Sequence, residues 1–198
     1  MISSRPRVLW VAAAFASAGV IGALAFVPFT RTASAEKPAD CTCAGAPVVD
    51  PTLLAFLSKA RAAHHRADLL QDDGDLDLAI AALEPVVAVP RPGGAPEADE
   101  VVADTYARLA DLKSDLGDFD PALRDVEAGL ALAARPTHFR GHLLEIEGVV
   151  LERRYRALDA MGETEEAARV KAQALDAFKG AIDVQEQVID EALKNAGH

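Results

Sequence analysis

Tryptophan, methionine and cysteine are almost missing from this chain of 198 residues, with one, two and two copies, and aromatic residues make up 5% of it. The single tryptophan, Trp10, lies near the start, so the later residues must build any core without one. Two cysteines, Cys41 and Cys43, exclude a fold stapled by several disulfides, and no second pair exists to complete a zinc site of four thiolates. Serine is equally scarce: past residue 35 only Ser58 and Ser114 occur, and neither sits in a Gly-x-Ser-x-Gly turn. No glycine-rich phosphate loop is present, because Arg91-Pro92-Gly93-Gly94 is too short and too proline-bound to cradle one. The inventory for catalysis is therefore thin; neither an enzyme nor a cofactor is expected.

What the chain does have is alanine, leucine and acid. Alanine and leucine lose little entropy on becoming helical, so the composition favours an all-α fold. The first 35 residues contain Arg5, Arg7 and Arg31 and no acidic residue, which leaves all 31 acids but only 17 of the 20 bases to the rest. So acidic a body repels phosphate backbones and anionic lipid, and favours basic or neutral protein partners over nucleic acid.

Arg5 and Arg7 precede an apolar run from Val8 to Phe29, followed by Thr32-Ala33-Ser34-Ala35-Glu36. A basic start, an apolar middle and a small-x-small exit describe an export leader, with a cut expected after Ala35. Residues 8–29 are also long enough to stay in a bilayer as an uncleaved anchor, the only membrane contact expected. Either outcome places the rest of the chain outside the cytoplasm, in the periplasm or cell envelope. Residues 36–50, with Pro38, Gly45 and Pro47, read as a linker. Within it, Cys41 and Cys43 can close a tight disulfide, bridge to another chain, or serve a redox or metal role.

Past residue 50 the sequence punctuates itself. Gly74-Asp75-Leu76-Asp77-Leu78-Ala79 is matched by Gly117-Asp118-Phe119-Asp120-Pro121-Ala122, and more faintly by Gly162-Glu163-Thr164-Glu165-Glu166-Ala167. The glycines stand 43 and 45 residues apart, each between two apolar-periodic segments, as in stacked helical hairpins. Glycine ends one helix, the acids favour the start of the next, and an alanine five residues after each glycine lets the two approach closely. The spacing predicts helices over 52–71, 76–87, 97–116, 121–133, 138–160 and 165–195. Asp50-Pro51 and Asp120-Pro121 supply caps, Pro85 a kink, and 90–96 a loop. On the last helix Val170, Ala174, Phe178, Ile182, Ile189 and Leu193 form one apolar stripe, expected to cap the stack or else to form a dimer, as in an oligomerising envelope component.

Between Ala103 and Pro136 the pattern resembles the tetratricopeptide repeat. With Gly117 at the turn, Tyr106 takes the family's aromatic position, Leu109 the leucine and Ala110 the small residue after it. Ala122, Val126 and Gly129 then take the small, large and small positions of the second helix. In the first unit Ala79 and Leu83 match, while Ala63 and Arg66 replace the aromatic and the leucine. In the third, Gly162 and Ala167 match, and Lys171 stands where a large apolar residue belongs. The resemblance implies a short right-handed solenoid of about three hairpins over residues 51–198, with a long last helix. It also implies a peptide groove along the first helices. Its lining would be Arg61, His64, Asp68, Gln71 and Asp72 in the first unit. Asp104, Ala107, Asp111, Ser114 and Asp115 would follow in the second, and Glu152, Arg156 and Asp159 in the third. The Lys and Asn with which some members clamp a chaperone's terminal carboxylate are missing there. The expectation is an interaction scaffold whose groove holds a basic or neutral segment, with Asp104, Asp111 and Asp115 supplying the charge.

A second reading is a metal-binding or redox protein using His138 and His142, or Cys41 and Cys43. His138 and His142 are four apart and share a helical face with Glu145, a spacing that can hold a divalent ion. Phe139 stands where a His-Glu-x-x-His site needs its glutamate. His64 and His65, about 100° apart on a helix, chelate poorly.

Overall fold

A computed structural model describes residues 50–197. The expected leader, and the linker with Cys41 and Cys43, lie outside the described residues. Six helices follow one another: α1 (Pro51–Asp72), α2 (Leu76–Ala88), α3 (Pro96–Asp115), α4 (Phe119–Leu132), α5 (His138–Ala160) and α6 (Thr164–Ala196). They pack in consecutive pairs, and α3 also meets α1 on one side and α5 on the other. The fold is all-α, as the composition predicts. Among the described residues no helix is long and apolar enough to cross a membrane.

The three punctuating glycines make the same turn. Gly74, Gly117 and Gly162 have φ of 85°, 85° and 81°, the left-handed region that costs other residues about 1 kcal/mol or more. After each, the next residue's N–H reaches back to the carbonyl five positions earlier: Asp75 to Leu70 at 2.8 Å, Asp118 to Lys113 at 2.9 Å, Glu163 to Leu158 at 3.0 Å. The glycine N–H donates to the carbonyl three positions earlier at 3.0 Å in all three turns. This pair of bonds closes off the orphan carbonyls of the first helix, and the chain reverses at once into the second. The acids at the start of the second helices, Asp75, Asp118 and Glu163, make no side-chain cap. What they contribute is negative charge at the positive end of a helix.

Asp50 caps α1 as expected, its Oδ1 accepting the Thr52 N–H at 2.8 Å. Asp120 does not cap α4. The helix begins at Phe119, two residues before the expected start at 121, so Asp120 and Pro121 lie inside its first turn. Proline is tolerated there because the first N–H groups of a helix have no carbonyl to bond. Helix α2 likewise runs past Pro85 to Ala88. So near the end of a helix, the proline leaves only the Ala81 carbonyl without its donor.

Packing between helices rests on small residues. Ala79, Ala122 and Ala167 are all buried at the expected positions, with Leu83 and Val126 buried behind the first two. A Cβ on Gly129 would stand 2.5 Å from the Leu143 side chain and 3.2 Å from the Tyr106 Cβ, so only glycine lets α4 lie this close to α3 and α5. In the third hairpin Val170, not residue 171, fills the buried position. Lys171 is exposed and holds its ammonium 5.3 Å from the centre of the Tyr155 ring.

The stripe expected on α6 is corrected. Its buried face is Ala167, Val170, Ala174, Ala177 and Ala181, with Phe178 half-buried. Ile182, Ile189 and Leu193 are exposed. The alanine face fits α5 closely because α5 presents glycine: a Cβ on Gly148 would stand 2.6–2.8 Å from the Phe178 ring, and one on Gly141 2.6 Å from the end of the Gln185 side chain.

These two glycines make opposite predictions. The Phe178 ring is rigid, so Gly148→Ala should destabilise by about 1–3 kcal/mol despite the better helix former. The Gln185 chain end can swing away, so Gly141→Ala should be neutral or stabilise by about 0.5–1 kcal/mol. Urea unfolding of both variants checks this; equal effects would show that α6 is not seated on Gly148.

Candidate functional site

The first helices of the hairpins, α1, α3 and α5, stand side by side, and counting back from each turn glycine puts their residues in register. Six positions before the glycine stand Asp68, Asp111 and Arg156; three before it stand Gln71, Ser114 and Asp159. Nine before it stand His65, Arg108 and Arg153. The arginines at this third position organise the face. Arg108 reaches from α3 to α1, where its Nη2 donates to Asp68 Oδ1 and Gln71 Oε1, each at 2.6 Å. Arg153 repeats the move from α5 to α3. Its Nη1 donates to Asp111 Oδ1 at 2.7 Å, to the Asp111 carbonyl at 3.1 Å and to Ser114 Oγ, while Nη2 lies 2.8 Å from Asp115 Oδ1.

This clasp engages several residues of the expected acidic groove. Asp68 pairs with Arg108, while Asp111 and Asp115 share the single charge of Arg153. Ala107 and Ser114 are buried between helices and line nothing. Arg156 pairs along its own helix with Glu152 at 2.5 Å. Asp72 and Asp159 are exposed and far along the helices toward the turns.

Toward the other end of the first helices, three of the expected residues do come together. Arg61, His64 and Asp104 line a cleft of about 390 Å³ between α1 and α3, closed by Phe139 of α5. Leu57, Ala60 and Val101 give it an apolar lining, and Glu97 and Glu100 add two carboxylates beside Asp104. Sequence reasoning missed both glutamates because they precede Ala103, the first position of a 34-residue unit. The first helices are 20–23 residues long, against 13 and 14 for α2 and α4, and their extra N-terminal turns carry these acids. A period of 43–45 residues was the signal that could have revealed them.

His64 is held by Thr105 of α3. The Thr105 hydroxyl lies 2.7 Å from the Val101 carbonyl and 2.9 Å from His64 Nε2, bridging the two. Nδ1 faces the Asp104 carboxylate at 4.0 Å. Desolvation lowers the pKa of His64 below its ordinary value, a stronger influence here than the attraction of Asp104.

A larger cleft, about 810 Å³, opens between α4 and α6 over α5. Glu147 lies there among Leu144, Leu151 and Val170, and burial pushes its carboxyl above the ordinary range.

The histidine pair on α5 lies beside the C-terminal half of α6. The His138 and His142 rings stack at 6.3 Å and 7°. His142 Nδ1 faces Glu145 at 3.5 Å, and Gln185 of α6 approaches His138. Among the described residues no three His, Cys, Asp or Glu side chains surround a common point. No protein-family model matches the chain, and no curated protein does.

Two predictions follow from this geometry. Arg153→Met leaves Asp111 and Asp115 side by side without their cation, and should cost about 1–2 kcal/mol in urea unfolding, tempered by partial exposure. Asp72→Asn, on the same face but outside the clasp, should change nothing measurable. For His64, the folded state resists the proton that the unfolded chain accepts, so its share of stability is present above about pH 6.5 and lost as pH falls below it. Unfolding midpoints measured from pH 7.5 to 5 should decline, and His64→Gln, which can still hydrogen-bond to Thr105, should flatten that decline.

Proposed function

We propose that this chain is an exported scaffold of tetratricopeptide type that holds a short basic segment of another protein in the cleft between α1 and α3, without catalysing a reaction. The observation that carries the reading is the make-up of that cleft: an apolar floor of Leu57, Ala60, Val101 and Phe139 beside three carboxylates, Glu97, Glu100 and Asp104. Such a site suits a segment with one large apolar side chain next to a lysine or arginine. The floor supplies desolvation and the rim supplies sign selection. Arg61 on the α1 side sets direction, since it repels the basic residue and donates to a carbonyl or carboxylate.

The tetratricopeptide assignment is supported by three turns of one geometry and by the small, large and small packing of Ala122, Val126 and Gly129. The longer period sets the chain apart from a 34-residue unit. Export, and a place in the periplasm or cell envelope, rest on the leader before Glu36, and the acidic body favours a basic partner in that compartment.

A fluorescent library of ten-residue peptides, each with one aromatic or leucine beside one lysine or arginine, tests the reading by anisotropy. Binding should be selective over the same library with glutamate in the basic place. Combined Glu100→Lys and Asp104→Lys should weaken it about tenfold, the sum of exposed pairs worth about 0.2–1 kcal/mol each. Charge-independent binding, or no loss in the double variant, would sink it.

A further inference from the structure

We propose that two copies of this chain pair through α6, antiparallel, about a two-fold axis at Ile182. Leu175, Ile182 and Ile189 recur every seven residues and are exposed by 61%, 58% and 56%, with Leu193 at 66%. A strict seven-residue apolar repeat is the pattern of a helix that meets another helix along its length. This seam lies about 100° around α6 from the alanine face that α5 occupies. The residues of α6 that face α4, such as Gln173 and Asp176, lie on other sides of the helix. The seam is therefore the outer end of the stack. A helix that merely closed a stack would turn a polar face outward there.

The length of α6 points the same way. It has 33 residues, about 50 Å, against 23 in α5. The first turn of α5, at His138, meets α6 at Gln185. From Glu186 onward α6 runs past its partner, and every residue but Val188 is exposed through Gly197. An isolated helical segment of this length is marginal in water, yet it carries Ile189 and Leu193.

Charge selects a second copy, and its direction. Lys179 and Glu186 are both exposed, on one edge of the seam and seven residues apart. A two-fold axis at Ile182 sets Leu175 of one copy against Ile189 of the other. It brings Lys179 to within one residue's rise of Glu186 in the second copy, and the reverse pair forms at the same time. Each protruding end of α6 then lies on the packed half of the other. A parallel pair would place the Lys179–Glu186 edges of the two copies on opposite sides of the seam, so neither salt bridge would form. A single helix seam sits at the weak end of specific interfaces, below about 1,200 Å² in total.

The test uses the full chain in a non-ionic detergent that covers residues 8–29, with sedimentation velocity up to roughly 200 μM, a range suited to so small an interface. A monomer–dimer equilibrium is expected. Ile182→Asp should abolish it with unchanged helix content by circular dichroism, because the side chain is already exposed. Lys179→Glu and Glu186→Lys should each weaken it at least fivefold, and the two together in one chain should restore it. Carbodiimide coupling of mixed ¹⁴N and ¹⁵N chains should yield a Lys179–Glu186 crosslink of mixed isotope. A wild-type chain that stays monomeric, a dimer indifferent to Ile182→Asp, or a charge swap that fails to restore association would overturn the proposal.

Discussion

Helices that meet through alanine and glycine gain their contact only if the chain reversal between them holds the backbones close, and here the reversal is made three times by a left-handed glycine. Gly74, Gly117 and Gly162 each end a helix, satisfy its last carbonyls and start the next helix within two residues. A longer or looser link would let the paired helices drift apart, and alanine side chains are too short to follow. The positions that depend most on this constraint are Ala79, Ala122 and Ala167, which sit one turn into each second helix and are buried against the first. Everything farther from the turns, including the clasp and the cleft, inherits its spacing.

With the spacing fixed, the division of labour along the first helices follows from charge. Near the turns, acids and arginines are matched between neighbouring hairpins and serve cohesion. Toward the opposite ends, Glu97, Glu100 and Asp104 share the cleft lining with Arg61 and His64. The same face is therefore structural at one end and open at the other. His64 marks the boundary: it is tied through Thr105 to the α3 backbone on one side and faces Asp104 on the other.

Features carried by neighbours in sequence were legible before any coordinates. The turn glycines, the alanine five residues on, the Asp50 cap and the number of helices all depend on local chemistry. The rest depended on more than the local pattern. Arg108 and Arg153 bind acids about 40 residues earlier in the chain, so nothing near Asp68 or Asp111 announced these partners. Asp120-Pro121 had the composition of a helix start, yet the tight turn at Gly117 had already begun α4 at Phe119. On α6 two apolar faces overlap in sequence, and the larger side chains suggested a single stripe when the packed face is held by alanines.

The clasp also gives the three hairpins different grammatical roles. The middle one both reaches back, with Arg108, and is reached, at Asp111, Ser114 and Asp115. The first is only reached, having His65 where the arginine would be; the last only reaches, having Arg156 where the acid would be. A gene duplication of the middle hairpin would thus insert a unit compatible with both neighbours and with itself. A duplicate of either outer hairpin would meet a neighbour with a missing donor or a repelling arginine. Lengthening of this architecture is chemically permitted at one place, its centre.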